Sequence, residues 1–352
     1  MSGIAPRWEI VVQGREVTED VSADALSVSF EDHATDADMA TLVLANPDNR
    51  WTDSSVFDQG NVLELSLGYG RSLAPVFKGP VARPEPSFPE DGVPTLSIRA
   101  YDFSRPMRRV VERDGRRALT WQNVTDSDIA RDIAQRHGVR EVDIEATSLV
   151  LPYVAQGNES DWAFLKRRAE RIGFEVYVER DTFHFHAPRD SVARAPAALE
   201  YRRNLRSFDV RLSVEDQVTK VVVKGWDPVA GEPIVAIATG ADTVRSVLGA
   251  KAASDFVKED FGEGAKVLHD LVPRTVAEAE QLARAYLRQS EYALLQGSGS
   301  VTGDPALKAK TLVEIAGVGA RYSGTYYVTR VTHSIGDGGY LCDFECQRNA
   351  VS

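Results

Sequence analysis

Two histidines two residues apart, in Thr182-Phe183-His184-Phe185-His186, have the spacing best suited to metal or proton chemistry. On a strand, side chains at i and i+2 share a face, and two imidazoles with a carboxylate can hold zinc. No third ligand stands at a recognisable spacing nearby. The phenylalanines alternate with the histidines, as in a strand with an apolar inner and a polar outer face, so no metal is expected. Carboxylate pairs carry little information, because 52 acidic residues make Glu159 with Asp161, or Asp36 with Asp38, inevitable neighbours. Two carboxylates flanking a substrate could make a cell-wall hydrolase of the middle of the chain, but a solvated acidic face is the ordinary reading.

No Gly-x-Ser-x-Gly elbow, His-Glu-x-x-His helix, phosphate-binding loop or dinucleotide fingerprint occurs. The nearest approach, Gly317-Val318-Gly319, has Tyr322 where a third glycine belongs and leads into a strand. No catalytic residue and no cofactor is therefore expected. Exposed Trp51 or Trp121 could stack on a sugar in a carbohydrate-binding module, although core or interface is the simpler place for each.

One basic run stands out. Arg105, Arg108, Arg109, Arg113, Arg116 and Arg117 lie close together without a lysine among them. Guanidinium groups favour planar, multidentate contacts to carboxylates or phosphates, so the run reads as a solvated connector, then as a contact to a partner protein, and least as a nucleic-acid contact. The whole chain carries a formal charge of -11, which argues against coating nucleic acid. Cys342 and Cys346 sit four residues apart on an alternating strand, roughly 13 Å, too far for a disulfide. They are expected as two inward-facing thiols of a β core.

These residues must be positioned by at least two or three domains, given 352 residues with 43% hydrophobic and 26% charged. No window offers the ~20 apolar residues of a membrane span, and Met1 to Trp8 lacks the basic and apolar stretches of a secretory signal. Alternation predicts strands over 8–12, 26–30, 40–45, 62–69, 76–82 and 95–103, with turn-rich pieces between, including Pro84-Glu85-Pro86-Ser87. From about 119 the period changes. Thr125 and Ser160 cap two helices, the second closed by Gly173, and two alternating strands follow around Arg180-Asp181. Strands return over 198–204, 207–213, 218–226, 233–239, 311–316, 324–335 and 340–347, interrupted by one helix that Thr275 and Glu278 open. The layout is mainly β with an α+β module: a first β region over 1–118 whose short strands suggest a barrel or sandwich, a helix-and-hairpin module over 119–192 and a second β region over 193–352.

Four stretches carry a resemblance. They are Leu44-Ala45-Asn46-Pro47-Asp48-Asn49-Arg50-Trp51, Gln156-Gly157-Asn158-Glu159-Ser160-Asp161-Trp162-Ala163-Phe164-Leu165, Val221-Val222-Val223-Lys224-Gly225-Trp226-Asp227-Pro228, and Tyr322-Ser323-Gly324-Thr325-Tyr326-Tyr327-Val328-Thr329-Arg330-Val331-Thr332-His333. In order and spacing the sequence resembles the late control gene D family of phage tail proteins, which includes baseplate hubs of contractile tails and the N-terminal part of type VI secretion spike proteins. The resemblance implies two tail-tube-like barrels and a homotrimer, whose six barrels adapt a sixfold tail tube to a threefold spike. It implies tail tube, spike and other baseplate proteins as partners. It further implies synthesis in the bacterial cytoplasm and assembly into a phage tail or injection-system particle. With the chain ending at Ser352, spike and lytic activities are expected on other chains.

Overall fold

The computed structural model describes residues 5–110, 119–190, 197–215, 217–242, 249 and 251–351. The mainly β reading with an α+β module holds. Among the described residues no closed barrel is delineated: the outer regions share one 13-stranded sheet. Its centre is the antiparallel pairing of Ala25–His33 with Gly324–Gly336, which joins the early strands to the late ones in a single ladder. Phe30, Leu42 and Ile98 of the early strands and Val331, Phe344 and Cys346 of the late ones bury in one shared core.

Two departures from the alternation pattern have physical reasons. The strand Ser72–Ser87 runs straight through Pro84 and Pro86, which the sequence reading left as a turn. Those residues pair only with Thr95–Tyr101, so their donor-less nitrogens fall on a free edge. The strand Leu295–Thr302 is invisible to alternation because of Gly297 and Gly299. A Cβ at Gly297 would lie 2.7 Å from the Phe208 ring, and one at Gly299 would lie 2.8 Å from that of Phe344. These rings take the space, and only glycine lets the strand approach.

The middle module has its own core. Thr125 closes a reciprocal capping box on Asp126–Arg136, and Ser160 caps Asp161–Ile172, which ends at Gly173 with φ +71°. Ile129, Ile133, Phe164 and Leu165 pack on Val176, Val178, Phe183 and Phe185 of the hairpin Glu175–Glu179 and Thr182–His186. The region after 197 holds a further unit inside it. Lys220–Asp227, Glu232–Thr239 and Ala265–Leu268 make a three-stranded sheet, one face of which is covered by Ala279, Leu282, Ala283 and Leu287 of the helix Val276–Tyr292. No helix among the described residues is long and apolar enough to cross a membrane. Cys342 and Cys346 are buried, as expected.

A buried ionic cluster ties the parts together. Lys310 Nζ donates to Asp32 Oδ1 and, at 2.7 Å, to the His33 carbonyl, while Ala309 N donates to Asp32 Oδ2 at 2.9 Å. The same ammonium lies 4.8 Å from the centroid of the Tyr177 ring in the middle module. Asp102 Oδ2 accepts from Asp38 N at 2.9 Å, adding a third carboxylate to the neighbourhood. Burial favours a neutral lysine here, but the adjacent carboxylates outweigh it and raise the Lys310 pKa. Burial raises the Asp38 and Asp102 pKa values, and the opposing cations and hydrogen bonds offset it only in part.

Removing one member of a fully buried pair leaves the other charge stranded. Lys310→Met should lower the unfolding free energy by about 3–5 kcal/mol in urea titrations, and adding Asp32→Asn should recover part of that loss. A single-variant loss under ~1 kcal/mol would refute the cluster's role. His333, stacked on Phe30 at 5.7 Å, has its imidazole pushed by burial down to about 4. The unfolded chain takes up this proton near pH 6.5 and the folded chain only near 4. The His333 contribution to stability should therefore fall by roughly 3 kcal/mol as pH drops through that window, while Glu175, raised by burial to about 7, contributes in the opposite sense, so His333→Gln should be less acid-sensitive than the parent there.

Candidate functional site

The arginine run divides on folding. Arg105 and Arg108 lie in the short 3-10 turn Arg105–Arg108 and Arg109 follows it, whereas Arg113, Arg116 and Arg117 lie outside the described residues. Pro106 opens the turn and Met107 buries in the core of the middle module, so the turn is anchored by its apolar residue. Arg108 Nε donates to Ser104 Oγ at 2.9 Å, and its guanidinium stands 4.6 Å over the Trp162 ring. Burial lowers its pKa, against the pull of Asp102, Asp36 and Asp38. Arg108 is thus engaged inside the molecule, while Arg109 is exposed.

The proposed carboxylate pair is engaged as well. Asp161, 9% exposed, accepts from Gln156 Nε2 at 2.9 Å and lies 2.7 Å from His137 Nε2. Glu159 is held by Arg167 at 2.6 Å. Each carboxylate is held by partners within the chain. Trp51 is buried and donates to Asp24 Oδ2 at 2.9 Å; Trp121 stacks on Phe164 at 5.3 Å and donates to Asp132 Oδ2 at 2.8 Å. Both indoles serve packing, with their N–H groups satisfied.

The histidine pair gains what the sequence did not show. The strand Glu141–Ile144 adds in parallel beside Thr182–His186 and sets Asp143 directly opposite His184. Asp143 Oδ2 lies 3.1 Å from His184 Nδ1 and 3.9 Å from His186 Nε2. Ligand atoms of the three residues all fall within 4.8 Å of one another. The expected outward polar face is buried, with His184 at 8% and His186 at 4% exposure. It faces the later β strands, where Glu175 meets Tyr327 at 2.6 Å and Glu179 meets Lys308 at 2.8 Å. Burial lowers the His184 pKa, while Asp143 opposes that shift. Sequence spacing could not supply Asp143, because parallel pairing across a helix and a hairpin leaves no local pattern.

A different surface is offered by the late strands. Their outward face forms a shallow groove of about 590 Å3, lined by Asp209, Arg211, Gln296, Ser298, Glu345 and Gln347. A second groove of about 380 Å3 continues it past Ser300, Thr332 and Asp343. Small hydroxyls and charges of both signs cover this face, with no apolar pocket for a small ligand.

The model of the family described as the Alg8 N-terminal domain matches residues 4–337. Over 183 residues the chain is 27% identical to the probable baseplate hub protein of Escherichia phage P2, a match covering 51% of this chain and 44% of that protein. The corresponding protein of Escherichia phage 186 matches over the same length at 26%. The match thus spans less than half the length of these relatives. In fold, the chain is similar to the 43 kDa tail protein of prophage MuSo2 from Shewanella oneidensis, at TM-score 0.73 and 15% identity over 99% of this chain and 100% of that one. A tail protein of Neisseria meningitidis follows at TM-score 0.70 and 13% identity, covering 98% of this chain and 97% of that one. The E. coli c3393 protein, a component of the type VI secretion system, superposes at TM-score 0.61 and 13% identity, covering 92% of this chain and 73% of that one. The fold is that of phage tail proteins.

The two environments within the arginine run are separable by mutation. Arg108→Ala should lower the unfolding free energy by about 1–3 kcal/mol, through loss of the ring contact and of the hydrogen bond to Ser104. Arg109→Ala should stay within ~0.5 kcal/mol of the parent in the same urea titration.

Proposed function

The chain belongs to the Alg8 N-terminal domain family, and from its likeness to baseplate hub proteins and its tail-protein fold we propose that it is a structural hub subunit of a contractile phage tail or phage-derived injection system. The finer kinship is with the late control gene D proteins. In this reading three copies form a ring that adapts a sixfold tail tube to a threefold spike. The chain is made in the bacterial cytoplasm and assembled into the particle, with tube, spike and other baseplate proteins as neighbours. The polar groove along the late strands is our choice for the channel wall, because hydroxyls and mixed charges give a passing polymer little to adhere to. Arg105 and Arg109, with Arg113, Arg116 and Arg117, are our choice for a contact to a neighbouring baseplate protein.

The observation that carries an assembly role is an apolar sheet face. The helix Val276–Tyr292 covers one side of the three-stranded sheet, while Trp226, Val235, Ile237 and Val267 stand exposed on the other. Grouped apolar side chains of this size mark a surface that another protein covers. The occupant we assign is a second copy of the chain: Lys224 and Lys220, the latter also 3.8 Å from Glu263, stand on this outward face, and a copy carrying -11 offers acidic surface to meet Lys224.

Light scattering on purified protein should give three copies per particle, and Val235→Asp with Ile237→Asp should shift the species toward monomer without loss of folded signal. A strictly monomeric parent chain that also fails to join tube or spike components would overturn the hub reading.

A further inference from the structure

We propose that Asp143, His184 and His186 form a binding site for a divalent transition-metal ion of the zinc class, built into the polar face of the middle module. In a tetrahedral zinc site with bonds of about 2.0–2.2 Å, neighbouring ligand atoms stand about 3.3–3.5 Å apart. The separations of 3.1 Å from Asp143 Oδ2 to His184 Nδ1 and 3.9 Å to His186 Nε2 lie on either side of that value. The separation between the two imidazole nitrogens lies within 4.8 Å, so the histidine side chains must adjust by up to about 1.4 Å to close a tetrahedral set.

The surrounding contacts prepare the ligands. His186 Nδ1 lies 2.7 Å from the Ala187 carbonyl, to which it can only donate. That fixes the tautomer and leaves the Nε2 lone pair available, as backbone partners do in established metal sites. Tyr177 OH, 3.1 Å from Nε2, donates to that lone pair when no ion is bound. The Tyr177 ring also stacks on His184 at 4.4 Å and fixes the plane of its imidazole. Asp143 keeps 39% of its side chain exposed, which gives an ion a way in and leaves the fourth position to water. Two imidazoles and one carboxylate select zinc and its neighbours over magnesium or calcium, which take oxygen ligands.

Arg189 is the competitor. Its NH2 donates to Asp143 Oδ2, the same oxygen an ion would take, and its side chain is 59% exposed and able to swing away. A bound ion would replace that guanidinium and fasten the parallel edge strand Glu141–Ile144 to the hairpin. This would stabilise the folded chain in proportion to its occupancy.

The full chain, stripped with a chelator and dialysed, is titrated with zinc by calorimetry and with Co(II) by visible absorption. One equivalent should bind, with the absorption of tetrahedral cobalt and a rise in melting temperature. Asp143→Asn keeps the size of the side chain and should weaken binding by at least ~10-fold while its chelator-treated form melts close to the parent. His186→Gln should do the same, and Arg189→Ala should bind more tightly. Absence of one-to-one binding in the parent, or an Asp143→Asn chain that binds as tightly as the parent, would overturn the site.

Discussion

The contact on which the arrangement depends is the ammonium of Lys310, whose side chain is almost wholly buried. It meets Asp32 from an early strand, the His33 carbonyl and the ring of Tyr177 from the middle module, so one charge touches all three regions. The backbone at Lys310 has φ +63°, a left-handed conformation that side chains with a Cβ rarely adopt. Such a conformation persists where surrounding contacts over-determine it, and the pairing with Asp32 does that here. Three buried carboxylates share this neighbourhood with the single lysine. Asp32 keeps its charge because it touches the ammonium, while Asp38 and Asp102 are driven toward the protonated form. A purely apolar plug could fill the same volume, but it would not specify which strand meets which loop.

What the sequence made legible was local. Thr125, Ser160 and Gly173 mark helix ends through hydrogen bonds made within a few residues, and the hairpin around Arg180-Asp181 follows from alternation alone. What it hid was set by tertiary neighbours. Gly297 and Gly299 break a strand pattern on paper, yet they are required where Phe208 and Phe344 lean in. Pro84 and Pro86 look like a turn and instead lie on an open edge. Asp143 lies 41 residues before His184, and parallel pairing alone joins them. The resemblance gave the correct fold class without showing that early and late strands would share one core.

That shared core bears on how the molecule could transmit load. Where Ala25–His33 pairs with Gly324–Gly336, the ladder bonds of the two β regions are continuous, and the side chains beneath them belong to one apolar cluster. Two closed barrels joined by a linker could rotate against each other. A continuous sheet over a common core resists that rotation, because bending it strains hydrogen bonds and packing together.

The middle module is attached by different physics. Apart from its own dry core, it meets the later region through Glu175 with Tyr327, Glu179 with Lys308, Asp190 with Arg288 and Tyr292, and Arg171 with Glu278. Polar and ionic contacts of this kind are directional, weaken with salt where exposed, and contribute less net free energy than an equal area of apolar burial. The Asp190–Arg288 and Arg171–Glu278 pairs are largely buried, so salt screens mainly the part-exposed Glu179–Lys308 pair. Lys310, which reaches from the sheet to Tyr177 at the middle of that polar face, is the buried charge that joins the sheet to the module.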